Sequence, residues 1–305
     1  MIAVIIPTYN PKDEFLNETL NSLKKQSLHT SFWELIIVDN NSSPKVEADL
    51  SWHPNSCIVS EEKQGLTHAR LKGFSQTNCE IIVMVDDDNI LDENYLENCL
   101  SIFNEFPKMG AIGGNIEGKF EIIPPYWTKD FFSLLAIRNL GKEILIANIQ
   151  LRNNNKIDYP LFSPVGAGMA IRRIALNKYL EEIQRDTQLI ADRSGDSLTS
   201  SGDNEIVMQI FLNGFDIGFF PKLSMKHIIP TERLNKIYLG KLNKAIMHSW
   251  TLFLIKYNQC PWNRFNKITL QLRVIKALIK HAPWKSPSNY IKFNGVIGQL
   301  EALSS

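Results

Sequence analysis

Three adjacent carboxylates, Asp86-Asp87-Asp88, end the apolar run Ile81-Ile82-Val83-Met84-Val85, and Asn89 follows them. Acids this close repel one another, so a cation is the natural partner to hold them together. Mg²⁺ and Mn²⁺ take oxygen ligands and bridge protein carboxylates to substrate phosphates, which makes handling of a phosphorylated substrate the chemistry on offer. A solvated acidic loop that caps the helix starting near Asp92 accounts for the same residues. On this stretch alone both readings stay open.

The element that presents the acids reads as a strand buried on both faces of a parallel sheet, and open α/β sheets bind ligands beyond the carboxyl ends of such strands. Ile2 to Ile6 predicts a first strand, ended by Pro7-Thr8-Tyr9-Asn10-Pro11. A helix follows over Asp13 to Lys25, then a strand over Trp33 to Val38 that ends in Asp39, and a short strand over Cys57 to Ser60. Gly65 to Phe74 and Asp92 to Phe106 read as helices. Met109 to Gly114 reads as a strand whose paired glycines suit either close approach to a ligand or a bulge. Glu121 to Asp158 is irregular and aromatic, an insertion with no assigned elements. Phe162 to Ile171 is a glycine-bearing loop entering a strand, and polar Gln184 to Gly202 is expected to be mobile. Asp203 to Asn213 predicts a helix, with strands at Phe215 to Phe220 and Ser224 to Ile229. Strands alternating with helices at this interval predict an α/β fold with a mostly parallel central sheet.

Composition narrows the class. In 305 residues, 44% hydrophobic and 21% charged is the balance of an ordinary globular protein rather than a disordered one. Cys57, Cys79, Cys99 and Cys260 have no paired spacing and read as reduced thiols, so a cytoplasmic protein is expected. The opening residues read as a strand and not a signal peptide, and the apolar stretch Ala245 to Tyr257 is too short and too interrupted to span a bilayer. The net charge is only +1, yet no Asp or Glu occurs from Arg233 to Leu300. An anionic partner for the carboxyl-terminal region is expected.

Taken in order, Pro7-Thr8-Tyr9-Asn10, Val38-Asp39-Asn40-Asn41-Ser42, Gln64-Gly65-Leu66-Thr67-His68-Ala69-Arg70, Asp86-Asp87-Asp88, Gly166-Ala167-Gly168, Gly202-Asp203-Asn204-Glu205 and His227-Ile228-Ile229-Pro230 resemble the family 2 glycosyltransferases of the GT-A fold. The resemblance covers about residues 1 to 240. It implies an inverting, metal-dependent transfer of a single sugar from a nucleotide-diphosphate sugar, UDP-linked, to a saccharide or lipid-linked acceptor in surface-polysaccharide or glycan assembly. The Gln-x-x-Arg-Trp motif of the family's processive synthases does not occur.

The resemblance also distributes roles. Pro7, Thr8, Tyr9 and Asp39 would form the nucleotide pocket, Asp39 accepting the imide N–H of uracil, although Asp39 and Asn41 capping a turn explains the same residues. Arg70 would lie near the nucleotide, or be an ordinary exposed helix charge. Asp86 would face the ribose, Asp88 would hold a Mn²⁺ or Mg²⁺ ion with His227, and Asp87 would share either role. Gly166 and Gly168 would leave room for the donor sugar. Asp203 matches the catalytic base, but the acid that usually precedes it is replaced by Gly202; Glu205 either compensates or is a first-turn helix acid. A nucleotidyltransferase or a non-catalytic sugar-nucleotide-binding domain is the alternative.

These assignments divide the chain into a catalytic domain over 1–240, with a nucleotide half to about 115 and an acceptor half from about 116, and a basic helical region over 241–305. Within that region Asn263 to His281 predicts a helix. Phe265, Ile268, Leu272, Ile275 and Ile279 are at helical spacing, with Lys267, Arg273, Lys276 and Lys280 beside them. Such a helix suits an anionic membrane surface, which would make the protein peripheral at the inner face of the membrane; packing on the catalytic domain is the competing reading. Nucleic acid is not expected, since no binding motif accompanies the charge.

Overall fold

The computed structural model describes residues 1–148, 151–152, 156–157, 159–185 and 201–304. Most of the stretch expected to be mobile thus lies outside the described residues.

The first strand, β1 (Ile2–Thr8), is buried throughout and the helix α1 (Asp13–Lys24) follows it. β2 (Trp33–Asp39) lies parallel to β1, with Ile2 opposite Trp33 and Thr8 opposite Asp39. β3 (Ser56–Ser60) extends the sheet on the far side of β2, and α2 (Leu66–Ser75) crosses back to β4 (Ile81–Met84) on the other side of β1. Next come β5 (Asn89–Leu91), α3 (Tyr95–Glu105) and the long strand β6 (Met109–Phe120). A 3₁₀ segment, Tyr126–Leu135, leads to the short strands β7 (Leu145–Ala147), β8 (Leu151–Arg152), β9 (Lys156–Ile157) and β10 (Ala170–Arg172). α4 (Asn177–Arg185), α5 (Gly202–Leu212) and β11 (Asp216–Ile229) complete the sheet unit, and α6 (Lys236–Lys256), α7 (Leu270–His281) and α8 (Pro287–Leu303) end the chain.

Among the described residues the main sheet has nine strands in the order β3-β2-β1-β4-β10-β6-β11-β5, with β7 also against β11. The first four are mutually parallel. β10 runs antiparallel between β4 and β6, so the sheet is mixed. Alternation along β1 divides its side chains between two layers: Ile2, Val4 and Ile6 pack with α1 and α3, whereas Ile5 packs with α2 and α5.

Two expectations change and one open reading is resolved. The two strands expected over 215–220 and 224–229 are one strand, β11, whose register against β6 slips between Phe219 and Ser224. The paired glycines serve that irregularity and not a ligand: a Cβ on Gly114 would lie 1.8 Å from the carbonyl oxygen of Leu223. Finally, α6 spans the 240/241 boundary, and α8 lies so close along it that a Cβ on Gly298 would meet the Lys244 carbonyl oxygen at 2.0 Å. Leu239, Leu242 and Ile291 of this helix pair share a core with Phe131, Leu135 and Ile229, which joins the carboxyl-terminal helices to the sheet unit.

Candidate active site

The cleft opens at the tips of β1 and β4. One wall is a turn, Asp86 to Asn89, stapled by the fully buried Asn89: its Oδ1 accepts from the Asp86 N–H at 3.0 Å, and its Nδ2 donates to Asp88 Oδ1 at 3.1 Å. β5 leaves this turn and pairs antiparallel with β11, which sets His227 opposite Asn89. The His227 Nε2 then lies 3.2 Å from Asp88 Oδ2. Its Nδ1 is 2.8 Å from the carbonyl oxygen of Leu135, the last residue of the 3₁₀ segment. Arg233, just beyond β11, brings Nη1 to 3.1 Å from Asp88 Oδ2 and 3.3 Å from His227 Nε2.

Crowding sets the protonation of this wall. Burial and then the Asp88 charge push the Asp87 carboxyl up to about 7, against a hydrogen bond donated by the Thr8 hydroxyl. Burial works to lower the His227 pKa, but the Asp88 carboxylate outweighs it and the net shift is upward. Arg233 likewise shifts upward, burial opposing and Asp88 favouring its charge.

Pro7, Thr8 and Tyr9 also line the cleft, with Tyr9 46% exposed. Asp39 does not. It is buried, and its two oxygens accept from the backbone N–H groups of Ser42 (2.9 Å) and Val46 (3.3 Å), so it shapes the loop after β2 as a turn-capping acid. The neighbouring Asn40 takes the place at the cleft. It donates to the carbonyls of Glu61 (3.1 Å) and Lys63 (2.8 Å) and accepts from the Gly65 N–H at 2.7 Å, which ties the β2 tip to the entrance of α2.

The opposite wall is the start of α5. Asp203 faces the cleft, its Oδ2 accepting from the Gly166 N–H and its Oδ1 from the Asn204 N–H, each at 3.0 Å. Arg70 is buried against the same glycine and is not an exposed helix charge. A Cβ on Gly166 would approach its Nη2 to 2.5 Å. Gly166 therefore admits Arg70 beside Asp203. Gly168 is turned away from the cleft: at φ +75° it packs on Met225 and accepts from the Tyr95 hydroxyl at 2.5 Å, so it does not underlie a donor sugar. Glu205 points away too. Only 1% exposed, it accepts from Lys256 Nζ at 2.6 Å and from the Tyr257 hydroxyl, and so fastens α5 to the end of α6 rather than compensating for Gly202.

Residues 3–180, more than half the chain, match the family model Glycosyl transferase family 2. The chain belongs to that family. It is 27% identical over 121 residues to Glycosyltransferase AglE of Haloferax volcanii, across 38% of this chain and 39% of that protein. It is 31% identical over 122 residues to the hyaluronan synthase of Streptococcus pyogenes, across 37% of this chain and 29% of that protein. The matches thus span well under half the length of these curated relatives. Among solved structures, S. aureus TarS 1-349 in complex with UDP-GlcNAc aligns with a TM-score of 0.52 at 14% identity, over 99% of this chain and 90% of that one, and its complex with UDP aligns with 0.51. At this identity the likeness shows the fold, GT-A, with the acid turn, Arg70 and Gly166 inside the matched family segment and Asp203 and His227 beyond it.

Family 2 membership makes a divalent ion the group to test against these residues. Two ligands held at about 2.1 Å and at right angles lie about 3.0 Å apart, close to the 3.2 Å between Asp88 Oδ2 and His227 Nε2. A ligating histidine commonly donates its other ring N–H to a carbonyl, as Nδ1 can to Leu135. The pair fits. Among the described residues no group of three or more His, Cys, Asp or Glu forms a complete protein cage, so phosphates and water would supply the remaining positions. The sequence reading missed Arg233, Asn40, Asn89 and the Leu135 carbonyl. Arg233 stands close after the His227-Ile228-Ile229-Pro230 motif, but only the β5–β11 pairing shows that it reaches Asp88.

Proposed function

We propose that this protein is an inverting glycosyltransferase that moves one sugar from a nucleotide-diphosphate sugar, UDP-linked, to a saccharide or lipid-linked acceptor in glycan assembly, with Mn²⁺ or Mg²⁺ as its ion. The observation that carries the reading is the division of labour across the cleft. One wall gathers Asp88, His227 and Arg233, and the other presents Asp203 on backbone N–H groups. The UDP and UDP-GlcNAc complexes of TarS support the donor class.

In this reading Pro7, Thr8, Tyr9 and Asn40 border the base and ribose, and Asp86 faces the ribose. Asp88 and His227 would hold the ion, which when bound neutralises charge on the departing diphosphate. Arg233, an Asp88 partner with its own positive charge, adds to that neutralisation. Arg70 lies beside Gly166 at the junction between donor and base. The acceptor oxygen attacks the anomeric carbon from the Asp203 side. Its proton passes to the Asp203 carboxylate while the bond to the diphosphate oxygen breaks and its electron pair leaves with the phosphate, which inverts the anomeric centre.

Incubation with a panel of nucleotide sugars, with Mn²⁺ or with EDTA, is expected to release nucleotide from one UDP-sugar, only with the ion, and faster with the correct acceptor. Equal turnover in EDTA would refute the metal assignment. Binding of every nucleotide sugar with no release from any, across saccharide and lipid-linked acceptors, would favour a non-catalytic domain.

A further inference from the structure

The outer face of α7 is apolar and unpacked. At about 100° per residue, Leu272, Ile275 and Ile279, with Ile268 of the preceding turn, fall within about 60° of one another. They are 70%, 52%, 70% and 84% exposed. The opposite side, where Ala277 is buried with Leu270 and Val274 partly so, is the side that packs. Phe265, expected on the apolar stripe, instead lies under the Arg273 guanidinium at 4.0 Å, so the stripe is purely aliphatic. Trp284, 69% exposed, stands just past the helix end. A contiguous exposed patch of large aliphatic side chains calls for a partner.

Charge decides which. Lys276 and Lys280 lie along one edge of the stripe and Lys285 follows Trp284, all exposed. Elsewhere in this region Lys244 is paired with Glu301 and Lys256 with Glu205. Glu301 is the first acid in the chain after Glu232. A second copy of the chain seated stripe to stripe would set like charges face to face. A nucleic acid would meet the lysines and leave the aliphatic side chains in water. A surface that offers both hydrocarbon and negative charge answers both features.

We propose that the outer face of α7, with Trp284, is a docking surface for an anionic lipid bilayer, the aliphatic stripe entering the headgroup boundary and Lys276, Lys280 and Lys285 facing lipid phosphate. No helix among the described residues is long and apolar enough to cross a membrane, so the contact is with the surface. α7 packs on α8, and α8 on α6, whose Tyr238 and Ile246 line the cleft. Changes on the outer face of α7 therefore leave the catalytic machinery in place.

The test is partitioning of the full chain onto vesicles of phosphatidylcholine alone and of phosphatidylcholine mixed with phosphatidylglycerol, without donor or acceptor, so that it is decided apart from the transfer reaction. The protein is expected to bind the anionic vesicles and to be released as salt shortens the Debye length to about 3 Å. Lys276→Gln with Lys280→Gln should weaken binding about fivefold per charge removed. Leu272→Ser with Ile279→Ser should weaken it more than about tenfold. Both variants change exposed side chains only, and unchanged melting curves would show that they fold. Vesicle binding equal to that of the parent in both folded variants would overturn the proposal. So would a parent protein that ignores anionic vesicles while binding nucleic acid, or that forms a dimer dissolved by the serine substitutions.

Discussion

The turn from Asp86 to Asn89 and the first turn of α5 both bring acids to the cleft, and they treat them in opposite ways. In the first, three carboxylates are crowded at one strand end, and the crowding is met by the Arg233 guanidinium and the His227 ring on Asp88, with Asp87 drawn toward its protonated form. In the second, Asp203 and Glu205 are two residues apart on a helix and so face different ways. Asp203 keeps backbone N–H partners at the cleft, while Glu205 is consumed by Lys256 and Tyr257. Acids kept together select for a cation. Acids kept apart leave one facing the cleft while the other holds two helices together.

The sharpest break of this comparison is Asp203→Asn, which retains shape and hydrogen bonding and loses basicity. Turnover should fall on the order of 10²–10⁴-fold with donor affinity nearly unchanged. A near-normal rate, or a failure traced to lost nucleotide binding in a calorimetric titration, would remove Asp203 from the role of base. Glu205, fixed by a lysine and a tyrosine, would not inherit that role.

Asp88→Asn tests the crowded turn with the opposite weighting. Metal-dependent binding of UDP should weaken at least about tenfold, the equivalent of 1.4 kcal/mol. Arg233→Gln sharpens the point, because the guanidinium then no longer competes for Asp88 Oδ2 and His227 Nε2. Mn²⁺ alone should bind that variant more tightly than the parent. Weaker Mn²⁺ binding would mean that Arg233 orients the site and does not compete for it.

Glu205→Gln probes the structural acid. Charge-assisted hydrogen bonds to Lys256 and Tyr257 are lost from a buried position, so thermal stability should drop by about 1–3 kcal/mol while turnover per folded molecule holds. Lost activity at full stability would transfer Glu205 to the reaction.

The same contrast explains what was legible in the sequence. β1 and β4 announce themselves because fully buried parallel strands read as continuous apolar runs, and β2 nearly does, broken only by the half-buried Glu34; the acids at the ends of β2 and β4 follow from the fold class. Which of two adjacent turn residues faces the cleft does not follow: Asp39 and Asn40 are both ordinary turn formers, and only the loop path shows that Asn40 is the one at the opening. Arg233 depends on pairing between strands 138 residues apart, His227 opposite Asn89. α8 falls within the region expected to be helical, but for a different reason its bounds were not legible. Gly295 and Gly298 argue against a helix by propensity, yet they are the points where α6 comes closest.

The smallest effect concerns pH, and it isolates the crowded turn. Asp87 binds its proton more tightly folded than unfolded, with a pKa of about 7 against an ordinary 3.8, because burial and the Asp88 charge disfavour its ionised form. Between those values the native state holds the extra proton, so stability falls as pH rises. His227, shifted above its ordinary 6.5 by Asp88 despite burial, adds a contribution of the same sign: it is full below that value and lost as pH climbs through the raised pKa. The melting temperature of the ion-free protein should therefore drop as pH rises from about 4 to about 7, and further through the raised His227 pKa, by several degrees at about 2–4 °C per kcal/mol. Asp87→Asn should raise the melting temperature at the upper end and flatten the profile, leaving the smaller His227 slope. A profile that Asp87→Asn does not flatten would show that the Thr8 hydrogen bond and the Arg233 charge already offset the crowding, and the two acid turns would then differ in geometry alone.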